Sequence, residues 1–217
     1  MYKYILFDLD GTLTDSKEGI INCFKYAIEK LGDPIPAEEK LLTFIGPPLK
    51  TSFASLGYDD AKTEEAIRFY RERYIPVGKF ENTPAPGTVE LCRRLKEKGY
   101  VLALASSKPQ QMCMDICEKF GFAVYLDTIV GPSGDDDWTK ADVIREAMRR
   151  LNLTAADKAE ILMVGDRMYD VVGAKECGLD CVGVEFFGYA APGELKDAGA
   201  VAVVDTAEAL EKFILSH

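Results

Sequence analysis

The sequence predicts an α/β protein: a doubly wound, Rossmann-like parallel sheet with an all-helical domain inserted after its first strand. Three observations predict it. The apolar run at residues 4–7 stops at Asp8 and reads as a buried strand. Residues 16–80 carry helical periodicity and nothing that reads as a strand. Beyond Thr83-Pro84-Ala85-Pro86-Gly87, short apolar runs alternate with helical stretches, which is the rhythm of a parallel sheet covered by helices on both faces. The expected domains are residues 1–15 with 81–217 as the core and 16–80 as the insert.

The elements follow in order. Ile20, Ile21, Phe24, Ala27, Ile28 and Leu31 fall on one helical face, and Gly32 stops that helix. Helical pieces are expected over residues 37–44, 48–55 and 60–75. In the core, helices are expected at 87–98, 109–120, 140–151, 169–177, 193–198 and 207–215. Strands are expected at 100–105, 128–130, 161–164, 181–184 and 201–204. These strands are continuous apolar runs, as strands covered on both faces should be.

Composition narrows the function. The chain has 217 residues, 36 acidic against 26 basic, and a net charge of −10. That charge argues against binding a nucleic acid polymer or an anionic membrane. The single histidine is the last residue, His217, so catalysis by a placed imidazole and multi-histidine metal sites are excluded. Six scattered cysteines form no C-x-x-C pair and read as small buried side chains in a reducing cytosol. There is no signal-like start and no membrane-length apolar stretch, so the expectation is a cytoplasmic protein, monomer or homodimer. The acidic run at residues 135–137 reads as a solvated loop rather than a metal site.

In doubly wound sheets, ligands bind beyond the carboxyl ends of the strands. Three predicted strand ends carry Asp8-Leu9-Asp10-Gly11-Thr12-Leu13, Ser106-Ser107-Lys108 and Gly165-Asp166-Arg167-Met168-Tyr169-Asp170, and Lys140 opens a helix before the third. Singly, each has a bland reading as a turn or helix-cap residue. Jointly, four carboxylates converging on one sheet edge would repel one another without a cation. A hard divalent ion held by oxygen ligands, Mg2+, accounts for them.

These segments, in this order, resemble the four motifs of the haloacid dehalogenase superfamily, and the resemblance covers essentially the whole chain. The helical stretch resembles the cap this superfamily inserts after its first strand. Thr14-Asp15-Ser16, Ile45-Gly46-Pro47-Pro48-Leu49 and the Pro84-Ala85-Pro86-Gly87 segment look most like the phosphoglycolate phosphatase-like branch, which includes 5′-nucleotidases. One stretch departs from the pattern: relatives often carry K-P-x-P where this chain has Trp138-Thr139-Lys140-Ala141.

The resemblance implies a Mg2+-dependent phosphomonoesterase acting on a small phosphorylated metabolite. Asp8 would be the nucleophile, forming an aspartyl-phosphate, and Asp10 the acid and base. Strict strand alternation would aim Asp10 the same way as Asp8. The metal would be held by Asp8, the carbonyl of Asp10 and Asp166, with Asp170 and Thr12 orienting the ligands. Ser106, Ser107 and Lys140 would contact the phosphoryl oxygens. Gly46, Pro47 and Lys50 are the expected cap contacts with substrate. Phosphoglycolate is the first substrate expectation and a nucleoside 5′-monophosphate the second. A phosphomutase would use the same core. A dehalogenase is disfavoured by Asp10, which such relatives generally lack. From another class, a receiver-type signalling module shares the phospho-accepting aspartate but has no reason to carry a helical insert.

Overall fold

The computed structural model describes residues 1–133 and 138–217. The acidic run at 135–137 lies outside the described residues. The chain forms two compact units: Met1–Thr14 with Pro84–His217, and Asp15–Thr83.

The first unit is built on a six-stranded parallel sheet. Its strands are β1 (Tyr4–Phe7), β4 (Val101–Ala105), β5 (Thr128–Val130), β6 (Ile161–Gly165), β7 (Asp180–Val184) and β8 (Ala202–Val204). Their order is β5-β4-β1-β6-β7-β8, with β1 central. The order reverses direction between β1 and β6, the switch point where ligands of such sheets collect. The register sets the ends level: Phe7 pairs with both Leu104 and Val164. Two further strands, β2 (Thr14–Asp15) and β3 (Thr83–Pro84), pair with each other where the chain passes between the units. At two residues each they are too short to leave a period in the sequence.

Strand alternation sorts the core into two layers. Ile5 and Phe7 face one layer with Leu102, Leu104, Leu162 and Val164, covered by α5 (Thr88–Glu97), α6 (Gln110–Phe120) and α10 (Ala207–Ser216). Leu6 faces the other with Ala103, Met163 and Cys181, covered by α7 (Lys140–Arg150), α8 (Met168–Cys177) and α9 (Glu194–Ala198). The inner strands β4, β1, β6 and β7 are therefore packed on both faces, as their sequences require, whereas the edge strand β8 leaves Val203 exposed. All six cysteines are buried and free. Burial pushes the Cys92 and Cys117 thiols up to about 12, which makes them packing groups rather than reactive ones.

The second unit holds α1 (Lys17–Lys30), α2 (Glu38–Leu42), α3 (Leu49–Ala54), α4 (Asp60–Tyr74) and a 3-10 turn at Gly78–Phe80. Phe24 of α1 is its anchor: its ring lies 4.8 Å from Phe44, 4.8 Å from Phe53 and 5.0 Å from Tyr70. Asp59 caps α4 by accepting from the Lys62 N–H. Arg73 forms a two-pronged pair with Glu81 at 2.6 and 2.8 Å, tying α4 to the segment that returns from the unit. Among the described residues, no helix is long and apolar enough to cross a membrane.

Candidate active site

Strand β1 ends at Phe7, and the next residues turn sharply. The N–H groups of Thr12, Leu13 and Thr14 all donate to the Leu9 carbonyl, and the Gly11 N–H donates to Thr14. Gly11 sits at φ +82°, and a Cβ there would fall inside the carboxyl group of Asp166. Glycine is thus required twice, for the left-handed backbone and for the approach of Asp166. The turn also separates the two aspartates. Asp8 pairs with Lys140 at 2.8 Å, whereas Asp10 pairs with Lys108 at 2.7 Å. Strand alternation does not extend to Asp10 because the strand has already ended.

Oxygens of Asp8, Asp166 and Asp170 all lie within 4.8 Å of one another. Asp8 hangs from β1, whose ladder continues through the Asp8 N–H to the Val164 carbonyl at 2.9 Å. Asp166 follows β6 and is buried, accepting from the Thr12 hydroxyl at 3.2 Å. Asp170 sits in the first turn of α8, with one oxygen 2.7 Å from Lys140 and the other accepting from the Arg167 N–H at 3.1 Å. Lys140 opens α7, after a capping box in which Thr139 and Asp142 exchange hydrogen bonds. Its ammonium also donates to the Ala105 carbonyl at 3.0 Å. Its stem passes over Gly173 of α8, where a Cβ would stand 2.7 Å from Lys140 Cγ.

The electrostatics are unbalanced. Three buried or half-buried carboxylates face one ammonium. Burial raises the Asp166 carboxyl well above the usual range, and the charges of Asp170 and Asp8 raise it further. Asp170 is raised chiefly by burial too, with Lys140 pulling against it. Burial alone would lower Lys140, but Asp170 and Asp8 hold it above the ordinary lysine value. An oxygen-only donor set this close, carrying surplus negative charge, fits a hard divalent cation.

The imbalance predicts a pH effect. A carboxyl raised on folding favours the folded state only while protonated. Its support is present below the unfolded value and is lost as pH rises through the folded one. In EDTA, Asp166→Asn is therefore expected to be more stable than the parent near pH 8, with the gain shrinking toward about pH 4. Urea unfolding at both pH values checks this, and no gain near pH 8 would count against it.

Ser106 is buried at the end of β4, its N–H on the Val130 carbonyl and its hydroxyl accepting from the Lys108 N–H at 3.4 Å; Ser107 beside it is exposed. In the helical unit, Gly46 is exposed at φ +102°, Pro47 is half-buried and Lys50 is exposed in the first turn of α3. Sequence reasoning placed Lys108 at a strand end but gave it no role in the site. Its pairing with the half-buried Asp10 depends on the turn after Phe7, which swings Asp10 away from Asp8.

A doubly wound sheet with an inserted helical unit, carrying three acidic groups and a lysine at its switch point, has the groups that phosphoryl-transfer chemistry uses. The chain belongs to the haloacid dehalogenase-like hydrolase family, whose model matches residues 5–184. It is an enzyme of that family's phosphatase group. The family resemblance read from the motifs is thereby confirmed. A 5′-nucleotidase of Pseudomonas aeruginosa is 37% identical over 218 residues, covering all of this chain and 97% of the relative. The tyrosine-protein kinase PtkA of Mycobacterium tuberculosis is 35% identical over 83% of this chain and 61% of its own length. Among solved structures, a predicted phosphatase from Clostridium acetobutylicum superposes with a TM-score of 0.91 at 42% identity, covering 100% of both chains.

Proposed function

We propose that this hydrolase is a Mg2+-dependent phosphomonoesterase that cleaves small phosphorylated metabolites through an aspartyl-phosphate. The observation that carries the reading is the meeting of Asp8, Asp166 and Asp170 around Lys140 at the switch point of the sheet. Asp8 attacks phosphorus in line; the P–O bond to the leaving group breaks as the bond to the Asp8 carboxylate forms. Asp10 gives its proton to the leaving alkoxide. It then takes one from the water that attacks phosphorus, releasing inorganic phosphate and restoring Asp8.

Lys108 fixes where the Asp10 side chain sits before substrate arrives. Lys140 holds Asp8 in place and offers positive charge to the transferring oxygens, and Ser106 and Ser107 line the same strand end as hydrogen-bond donors. Asp8, Asp166 and the Asp10 carbonyl would hold Mg2+, which when bound neutralises charge on the phosphoryl group. Thr12 orients Asp166. Asp170 has both oxygens engaged, by Lys140 and by the Arg167 N–H, which suits it to orienting rather than ligating.

For the substrate, the 37% identity to a 5′-nucleotidase over the full chain favours a nucleoside 5′-monophosphate. The likeness to a predicted phosphoglycolate phosphatase from Haemophilus somnus, at 22% identity, speaks for the fold alone. Phosphoglycolate, ranked first on motif resemblance, stays in the test as the alternative. Phosphate release is measured over nucleoside monophosphates, phosphoglycolate, sugar phosphates and p-nitrophenyl phosphate. Turnover is expected with Mg2+, lost in EDTA and restored by Mg2+. Release that survives EDTA overturns the metal requirement, and no release from any monoester overturns the whole reading.

A further inference from the structure

Helix α8 begins two residues after Asp166, so whatever holds its first turn also holds that carboxylate. The first N–H groups of a helix need acceptors from outside it. The N-cap position here is Arg167, whose side chain carries donors only. The acceptor comes from 27 residues further on. Glu194 accepts through one oxygen from the Met168 N–H at 2.9 Å and from Arg167 Nε at 2.8 Å. Its other oxygen accepts from the Ala191 N–H at 3.0 Å. An anion at this end of α8 also suits the helix dipole.

Glu194 is itself held firmly. Gly193 before it takes a left-handed backbone, φ +85°, and the Glu194 N–H closes the turn on the Ala191 carbonyl at 2.9 Å. Leu195 after it is fully buried over Gly183 of β7, where a Cβ would stand 2.8 Å from Leu195 Cδ1. Glu194 and Arg167 are only 11% and 17% exposed, so their charge pairing is little screened by solvent. A continuous set of contacts thus runs from β7 through Leu195 and Glu194 to residues 167 and 168, beside Asp166. The Arg167 N–H at the end of this path is the one that Asp170 accepts.

We infer that Glu194 is a positioning residue for the acidic site: it fixes Asp166 and Asp170 by anchoring Arg167 and the start of α8. The inference rests on the proposed role of Asp166 in holding Mg2+. Groups that orient metal ligands from outside typically change metal affinity by about 10- to 100-fold when removed.

The test is divalent-ion binding to the purified full chain, read by Mn2+ electron paramagnetic resonance and by the rise in melting temperature on adding Mg2+. Wild type, E194A, E194Q and R167A are compared. E194A is expected to bind Mn2+ roughly 10- to 100-fold more weakly and to need correspondingly more Mg2+ for half-maximal activity. E194Q is expected to recover most of this, because its amide oxygen still accepts from Met168 and Arg167. If E194A does not fold, R167A decides by the same readouts. A folded E194A or R167A with a lower melting point but wild-type Mn2+ affinity makes the contact merely structural and overturns the inference. If wild type also binds no Mn2+, the proposed function falls with it. If wild type binds and E194A binds equally, this inference falls alone.

Discussion

Asp8→Asn is expected to abolish phosphate release while leaving the fold intact. The two side chains have the same shape, and the Asn amide oxygen can still accept from Lys140, 2.8 Å away in the parent. What is lost is the anionic oxygen that attacks phosphorus. Removing a catalytic nucleophile costs roughly four to six orders of magnitude in kcat. Stability should not fall with it. Asp8 contributes to the repulsion that raises the Asp166 carboxyl, so its neutralisation relieves a buried imbalance. Steady-state kinetics on p-nitrophenyl phosphate and thermal unfolding in EDTA check both halves. A variant retaining more than about a tenth of wild-type kcat would show that Asp8 is not the nucleophile.

The sequence made the skeleton of this site legible because the relevant information is local. A short apolar run ending in Asp8 is both a strand and a strand end, and the run ending at Gly165 places Asp166 in the same way. Parallel strands in level register then bring those ends together without further instruction. Lys140 was placed by its position in the chain order, and α7 carries it to Asp8 and Asp170. What escaped depends on contacts that no single segment encodes. Lys108 could be listed at a strand end, but its partner could not be read, since the turn after Phe7 breaks the alternation that aimed Asp10 beside Asp8. Glu194 is a surface-type residue on a five-residue helix with no motif around it. Its role exists only because α9 is packed against the start of α8. Gly173 reads as a weak point in a helix, and only the fold reveals that the missing Cβ makes room for the stem of Lys140.

Lys140→Met is expected to separate the charge role of this lysine from its packing. Methionine is unbranched and can follow the stem over Gly173, so the α7–α8 contact survives. The ammonium, however, meets three acceptors: the Ala105 carbonyl at 3.0 Å, Asp8 at 2.8 Å and Asp170 at 2.7 Å, with only 6% of the side chain exposed. Taking away one partner of a buried charge cluster costs about 3–5 kcal/mol, because the remaining charges are left uncompensated. The metal-free variant should therefore melt well below wild type. Mg2+ would restore positive charge among the same carboxylates, so the gap should narrow when the ion is added. Phosphate release should fall by roughly two to three orders of magnitude even with Mg2+ saturating, because the charge offered to the transferring oxygens is gone. Calorimetry with and without Mg2+, beside kinetics at saturating Mg2+, reads the two effects apart. A melting gap that Mg2+ leaves unchanged would mean that the ion does not share the carboxylates of Lys140. A kcat equal to wild type would remove the lysine from phosphoryl transfer and leave it as the counter-charge that keeps Asp8 and Asp170 in place.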